Sequence, residues 1–100
     1  MNKKTISSSS EIEAFIQEYP DWTFNGDALH ATYTLSSFEE AITAINAVAQ
    51  ICSELDHHPT IENTYKKLSF TMTTHDAGDK VTGIDIAVAK RIAETLENHQ

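Results

Sequence analysis

Apolar residues recur at helical spacing in three segments of the chain, and each segment opens with a capping signal. In a capping box a hydroxyl and a carboxylate three residues apart satisfy backbone amides that the first helical turn leaves free. The pairs with this spacing are Ser10 with Glu13, Ser37 with Glu40, and Thr82 with Asp85. They predict a first helix that ends before Pro20, a second from about Phe38 to Leu55, and a third that begins after Thr82.

Between these segments, apolar and polar residues alternate with the period of β-strands. The alternation flanks the turn residues Asn25-Gly26-Asp27, which predicts a β-hairpin. A second pair of strands is predicted at residues 60–65 and 68–73. Because such strands have one apolar face, helices should cover that face only. We therefore predict an α+β fold of order α-β-β-α-β-β-α, with a four-stranded antiparallel sheet and three helices packed on one face.

The predicted second helix has more apolar surface than one core-facing stripe requires. We expect one stripe to face the core and a further strip to pack against another subunit. The expected core stripe is Phe38, Ala41, Ile42, Ile45, Val48, Ala49 and Cys52, and the further strip is Ala44, Ala47 and Ile51.

Length, charge and cysteine content limit the classes of function. With 100 residues the chain has room for one domain, which we place at residues 11–97 after a flexible, serine-rich arm at residues 1–10. Fifteen acidic and seven basic residues give a net charge of −8, which opposes direct binding to nucleic acid or to an anionic membrane. Cys52 has no partner for an internal disulfide, and no apolar signal segment opens the chain. We expect a cytoplasmic protein.

Three histidines are the first candidates for chemistry. His57 and His58 lie between the second helix and the third strand, and His75 follows the fourth strand. Imidazoles at the ends of elements can supply acid and base groups near neutral pH. Two alternatives stay open at this point. The histidine pair can be a solvated helix C-terminus, where an imidazolium suits the helix dipole, or part of a metal site, although HExxH and paired-cysteine spacings are missing.

Three other residues have two interpretations each. Trp22, the only tryptophan, is either a core anchor or a wall for a flat heterocycle. Asp85 is first a cap residue and second a partner for a histidine. Cys52 falls in an apolar stripe, where we expect inert packing.

The run Asp56-His57-His58-Pro59, followed by Tyr65, by Thr74-His75-Asp76 and by Asp85, resembles the signature of the pterin-4a-carbinolamine dehydratases. Several fixed residues at fixed spacing make this resemblance specific. It covers about residues 11 to 97, which identifies that segment as a single pterin-dehydratase-like domain. It favours the catalytic interpretation of the histidines.

The resemblance implies an enzyme that dehydrates 4a-hydroxytetrahydropterin to quinonoid dihydropterin and so recycles a tetrahydropterin, with no metal or other cofactor. Loss of water from a carbinolamine needs one proton delivered to the hydroxyl and one removed from the ring nitrogen, tasks that suit imidazole. By matching position, His58 and His75 form the acid/base pair and His57 positions the substrate. The residues expected to line the pterin pocket are Trp22, Pro59, Thr74 and Asp76, with Asp85 and Ser53 in support.

The chain departs from the family pattern at two places. Ser53 stands four positions before His57, where family members typically have an ionisable residue, and Asp79-Lys80 changes the loop after His75. The family also implies a homodimer or homotetramer assembled partly through the second helix, Phe38 to Leu55. One family member serves as a dimerisation cofactor for a transcription factor. The alternative function is therefore a non-catalytic interaction or coactivator protein on the same fold.

Overall fold

The computed structural model describes residues 5–97 and has the element order α-β-β-α-β-β-α. The first half contains α1 (Ser9–Glu18), β1 (Trp22–Asn25), β2 (Ala28–Thr34) and α2 (Phe38–Leu55). The second half contains β3 (Thr60–Thr64), β4 (Lys67–Met72), a short 3-10 helix (His75–Ala77) and α3 (Gly83–Glu97). The predicted order and the predicted bounds of α2 are confirmed.

The four strands form one antiparallel sheet in the order β1-β2-β4-β3. The two hairpins therefore join through their second strands, and Tyr33 of β2 lies opposite Leu68 of β4. Apolar side chains from β1, β2, β4 and all three helices form a core cluster. This arrangement confirms the predicted α+β fold. None of the helices within residues 5–97 is long and apolar enough to cross a bilayer.

The first helix begins earlier than its capping signal predicted. Ser8, not Ser10, is the N-cap: its hydroxyl accepts from the Glu11 N–H at 3.2 Å, and its own N–H donates to the Glu11 carboxylate at 2.9 Å. The assignment of Ser10 with Glu13 was wrong because a run of four serines offers the same local signal at several positions.

Part of the predicted arm is attached to the domain. The Ser7 N–H donates to the Val81 carbonyl at 2.9 Å, and Ile6 forms a β-bridge with Thr82. Residues 1–4 of that arm, and residues 98–100, lie outside the described residues. The segment that enters α1 is thereby held beside the start of α3.

The core-facing side of α2 differs from the predicted one. Its buried residues are Ala41, Ala44, Val48, Ile51 and Cys52. Ala44 and Ile51 therefore face the core, whereas Phe38, Ile42 and Ala49 are exposed. Two stripes of similar hydrophobicity run along this helix, and its packing against α3 and into the common core selects between them.

An apolar strip on α2 consequently faces away from the core. It consists of Phe38, Ile42 and Ala49, with the half-buried Ile45 between them. Phe38 is 44% exposed and Ile42 is 39% exposed. Residues at these spacings share one side of a helix. We call this surface the α2 apolar strip.

Two tyrosines of the core, Tyr19 and Tyr33, lead us to expect that the protein loses stability at alkaline pH. Burial raises the pKa of Tyr33 to about 12 from its ordinary value of 10.0, and burial with a hydrogen bond to Glu94 raises that of Tyr19 likewise. Above pH 10 the unfolded chain loses these protons while the folded chain keeps them, so stability that is complete below pH 10 is lost as pH rises towards 12. For Tyr33 we expect a loss of about 2 kcal/mol.

Melting temperatures between pH 8 and pH 12 check this expectation. Tyr33→Phe also leaves the Trp22 indole N–H, which donates to the Tyr33 hydroxyl at 2.8 Å, without its acceptor at every pH. The melting temperature of the variant is therefore compared with its own value at pH 8. Above pH 10 it should fall less steeply than the melting temperature of the wild type. An equally steep decline contradicts the assignment to Tyr33.

Candidate active site

The end of α2 delivers two histidines to one edge of the sheet. Asp56 closes the helix in the left-handed conformation, with φ of 51°, and its N–H donates to the Cys52 carbonyl. The His57 N–H donates to the same carbonyl at 3.1 Å. Such a cap turns the chain sharply out of the helix, so that His57 and His58 lead into β3.

The end of β4 meets them there. β3 and β4 are antiparallel neighbours, with Thr60 opposite Thr71, so the start of β3 and the end of β4 share one edge. Beyond β4 the chain makes a tight turn, in which the Thr74 N–H donates to the Lys80 carbonyl and the Asp79 N–H to the Thr74 carbonyl. This turn places residues 73–76 beside the histidine pair.

Together these segments enclose an open cleft of about 500 Å³. Polar and apolar atoms contribute similar shares of its surface, and Leu55 and Ile84 are its apolar residues. The lining residues are Leu55, Asp56, His57, His58, Thr73, Thr74, His75, Asp76 and Ile84. The structure thus brings the three predicted histidines to one site, together with Thr74 and Asp76.

A fully buried carboxylate lies beneath the cleft. One oxygen of Asp85 accepts from His57 Nε2 at 2.6 Å, and the other accepts from the Thr74 hydroxyl at 2.7 Å and the Thr82 N–H at 2.9 Å. An ionised carboxylate can only accept hydrogen bonds, so the proton of a neutral His57 is on Nε2 and its Nδ1 is an acceptor. Asp85 is therefore the partner of a histidine, which was the second of its two interpretations from the sequence.

The hydroxyl of Thr82 completes this network. It lies 2.7 Å from the Thr74 hydroxyl oxygen, and both groups are buried. The Thr82 hydroxyl oxygen also lies 3.4 Å from the Asp85 oxygen that accepts from Thr74, so both hydroxyls contact this carboxylate. The sequence spacing identified Thr82 only as a helix cap. In the structure Asp85 accepts the Thr82 N–H, and the Thr82 hydroxyl is closest to that of Thr74.

The other two histidines differ from His57 in exposure. The His57 side chain is 14% exposed, whereas that of His75 is 93% exposed. His75 Nδ1 lies 3.1 Å from a carboxylate oxygen of Asp79, four residues along the chain. His58 is exposed and has no side-chain hydrogen bond within residues 5–97. Both imidazoles are therefore accessible from the cleft.

Trp22 does not reach the cleft. It is fully buried, and its indole stacks on Phe70 at a ring-centroid distance of 6.3 Å. The expected role of a pterin wall does not fit this position, and the core-anchor interpretation does. Tyr65, which is part of the signature, lies in the β3–β4 turn at the opposite end of the hairpin.

Two further expected site residues stand apart from the cleft lining. Ser53 is exposed on α2, one turn before His57, and Pro59 is half-buried after His58. Glu54 forms an ion pair with Arg91 of α3 at 3.0 Å. It therefore does not replace the ionisable residue that family members typically have at the position of Ser53. The apolar contributors Leu55 and Ile84 were not expected, because nothing distinguishes them in sequence from core residues. Across residues 5–97 no three or more His, Cys, Asp or Glu side chains form a group able to hold a metal ion.

Solved structures show the same fold. A protein from Brucella melitensis described as a transcriptional coactivator/pterin dehydratase superimposes with a TM-score of 0.83 at 24% identity, covering 90% of this chain and 97% of that one. A pterin dehydratase-like protein, described as a RuBisCO assembly factor in the alpha-carboxysome, superimposes with a TM-score of 0.62 at 19% identity. That match covers 74% of this chain and 87% of the other.

The sequence is also similar to proteins that are provisionally named as pterin dehydratases. A protein from Thermomicrobium roseum, provisionally named a pterin-4-alpha-carbinolamine dehydratase, is 42% identical over 83 residues, which are 83% of this chain and 88% of that protein. One with the same provisional name from Streptomyces avermitilis is 36% identical over 92% of this chain and 91% of its own length. The family model for pterin 4 alpha carbinolamine dehydratase matches residues 5–95. The chain belongs to the pterin 4 alpha carbinolamine dehydratase family.

Proposed function

We propose that this protein dehydrates 4a-hydroxytetrahydropterin to quinonoid dihydropterin by histidine acid/base catalysis, and so recycles a tetrahydropterin in the cytoplasm. The observation that supports this most directly is the hydrogen bond between His57 and the buried Asp85, at a cleft that His57, His58 and His75 line together. Family membership supplies the substrate class.

The reaction has a simple balance of bonds and protons. The bond from C4a to its hydroxyl oxygen breaks, the N5–H bond breaks, and a C4a–N5 double bond forms as water leaves. One group must protonate the departing hydroxyl and another must take the N5 proton. His58 and His75 are proposed for these two tasks, because both are accessible from the cleft and imidazole titrates near neutral pH.

His57 is proposed to position the substrate. Its bond to Asp85 fixes the ring and leaves Nδ1 as an acceptor for a substrate N–H or O–H group. Asp85 is itself held by Thr74 and the Thr82 backbone, so the orientation depends on groups that are buried. Thr74, Asp76 and Pro59 remain proposed contacts of the pterin.

The direct test is the dehydration rate of freshly generated 4a-hydroxytetrahydrobiopterin, with and without the protein. We expect an acceleration that a metal chelator leaves unchanged, because only imidazoles move protons in the proposed scheme. A rate equal to the spontaneous one contradicts the proposal. Loss of the acceleration on chelation contradicts the metal-free mechanism and favours a metal-dependent hydrolase instead.

A second candidate function rests on the α2 apolar strip. Exposed Phe38 and Ile42 on one side of a helix are typical of an interaction surface. We propose that this strip joins copies of the chain into a homodimer or homotetramer. A non-catalytic interaction or coactivator role on the same fold uses the same surface, and it becomes the leading function if no pterin turnover is found.

If the α2 apolar strip is the interface between subunits, a charge placed on it should weaken assembly. Ile42→Asp is expected to raise the dissociation constant of the oligomer by ~100-fold, because an unpaired carboxylate would be buried at the interface. Light scattering after size exclusion should give a multiple of 11.1 kDa for the wild type and a monomer for the variant. Gln50→Asp, on the polar side of α2, is the matched control and should keep the wild-type mass. A monomeric wild type contradicts the proposed interface.

A further inference from the structure

Asp79 follows His75 by four residues, and one of its carboxylate oxygens lies 3.1 Å from His75 Nδ1. Two consecutive residues in the left-handed conformation turn the chain back at this point: Gly78 has φ of 73° and Asp79 has φ of 60°. The Asp79 N–H then donates to the Thr74 carbonyl at 3.1 Å and closes the loop. The chain after β4 thus folds back so that this carboxylate reaches the imidazole of His75.

Local stability does not explain this carboxylate. An aspartate in the left-handed conformation is less favourable than a glycine, which has no Cβ to crowd the backbone. The pair is also exposed, His75 by 93% and Asp79 by 68%, and exposed ion pairs contribute little to folding. The adjacent ammonium of Lys80 pairs with Asp27 at 2.7 Å, so Asp79 is not needed to balance it. Asp79 also lies in the loop where the chain departs from the family pattern.

We propose that Asp79 is a positioning residue for His75, an inference that rests on the proposed function and deepens it. A carboxylate only accepts hydrogen bonds, so a neutral His75 donates from Nδ1 and its Nε2 keeps a lone pair. His75 is then the base of the two proton carriers. Its Nε2 takes the N5 proton, the electron pair of the broken N5–H bond forms the C4a–N5 double bond, and His58 protonates the departing hydroxyl. The carboxylate of Asp79 stabilises the imidazolium that results.

The site then contains two histidine–aspartate pairs of opposite orientation. Asp85 accepts from Nε2 of His57 and leaves its Nδ1 free, whereas Asp79 accepts from Nδ1 of His75 and leaves its Nε2 free. The two pairs also differ in exposure, since Asp85 is fully buried and Asp79 is exposed. The proton that His75 takes up can therefore pass to water before the next turnover.

Nitrogen-15 NMR of the imidazole rings tests this pair without any measurement of activity. At about pH 9, where an unperturbed imidazole is neutral, His75 of the wild type should carry its proton on Nδ1. Its signals are identified by their loss in His75→Ala. Asp79→Gly suits the left-handed backbone and removes the carboxylate, so His75 should then show a mixture of both tautomers. A wild-type His75 that carries its proton on Nε2 overturns the inference.

Kinetics of the same variant test the role of the pair. Asp79→Gly should lower kcat for dehydration about tenfold, because the ring is no longer held with Nε2 free, and leave KM within about twofold. Its melting temperature should change by no more than about 2 °C. Asp79→Asn keeps an oxygen that can accept from Nδ1 but has no charge, so its kcat should be intermediate. Asp27→Gly is the matched control: Asp27 is also exposed and left-handed, at φ of 65°, and its loss releases Lys80. It should keep the wild-type kcat.

Two kinetic results also overturn the inference. If Asp27→Gly lowers kcat as much as Asp79→Gly does, the anchoring of the loop matters and the carboxylate of Asp79 does not. If the wild type is active and Asp79→Gly keeps its kcat, Asp79 does not position His75. A wild type that shows the Nδ1–H tautomer yet no dehydration contradicts the proposed function and leaves the histidine–aspartate pair in place, so the two failures are distinguishable.

Discussion

Asp85→Ala is expected to lower the free energy of unfolding by about 3–5 kcal/mol, a large share of the 5–15 kcal/mol typical of a domain. The carboxylate is fully buried and accepts hydrogen bonds from His57, Thr74 and the Thr82 backbone. Its removal leaves those donors without their acceptor, and Thr74 and Thr82 are buried. Urea titration followed by Trp22 fluorescence measures the change.

Asp85→Asn separates catalysis from stability at the same position. The amide oxygen can still accept from Thr82 and Thr74, but the amide nitrogen then faces His57 and cannot accept its proton. His57 must change tautomer or lose the bond. We expect dehydration to slow by roughly 10²-fold or more, with a stability loss of only ~1–2 kcal/mol.

Asp21→Asn is the control for both Asp85 variants, because Asp21 is exposed in the connection between α1 and β1. It should change neither stability nor rate. An Asp85→Ala protein that unfolds at the wild-type urea concentration would show that the buried network contributes nothing to the folded state. An Asp85→Asn protein with the wild-type rate would remove His57 from the mechanism.

His58→Ala and His75→Ala are expected to slow dehydration by ~10²–10⁴-fold each, because each removes one of the two proposed proton carriers. Both side chains are exposed, so the free energy of unfolding should change by no more than about 0.5 kcal/mol. Assembly should be unchanged too. Initial rates measured against substrate concentration show whether the loss lies in kcat, as proposed, rather than in KM.

His30→Ala is the matched control for the histidine variants. His30 lies in β2, and its ring contacts Thr71 and the Asn25 carbonyl rather than the cleft. Its removal should leave the rate within twofold of the wild type. If His58→Ala and His75→Ala retain the wild-type rate while the wild type is active, the acid/base assignment is wrong and the protons move by another route.

Local patterns predicted most of the elements but not every boundary. Ser37 was located correctly as the cap of α2, because it stands directly before Phe38, the first apolar residue of the helix. Ser10 was not the cap of α1, because the neighbouring serines give the same local signal. The hydrogen bond from Ser7 to Val81 joins residues far apart in the sequence, so local patterns do not reveal it. Within α2, periodicity revealed two stripes but not which one faces the core.

The histidine site was predicted in part. His57, His58, His75, Thr74 and Asp76 line one cleft, as their spacing in the family signature implied. Tyr65 belongs to the same signature but lies at the far turn of the hairpin, and Trp22, which was expected to line the pocket, lies in the core. A signature records which residues occur together, and this includes residues that hold the fold.

The sequence by itself determined the secondary structure, the fold class and the set of candidate histidines, because caps, turns and hydrophobic periods act within a few residues of one another. Only the tertiary structure decided that Asp85 reaches His57 across 28 positions, that the Thr82 and Thr74 hydroxyls meet, and that Phe38 and Ile42 stay exposed. These contacts depend on how α2 and α3 are rotated against the sheet. That rotation is set by the packing of the whole core, which no short stretch of sequence specifies.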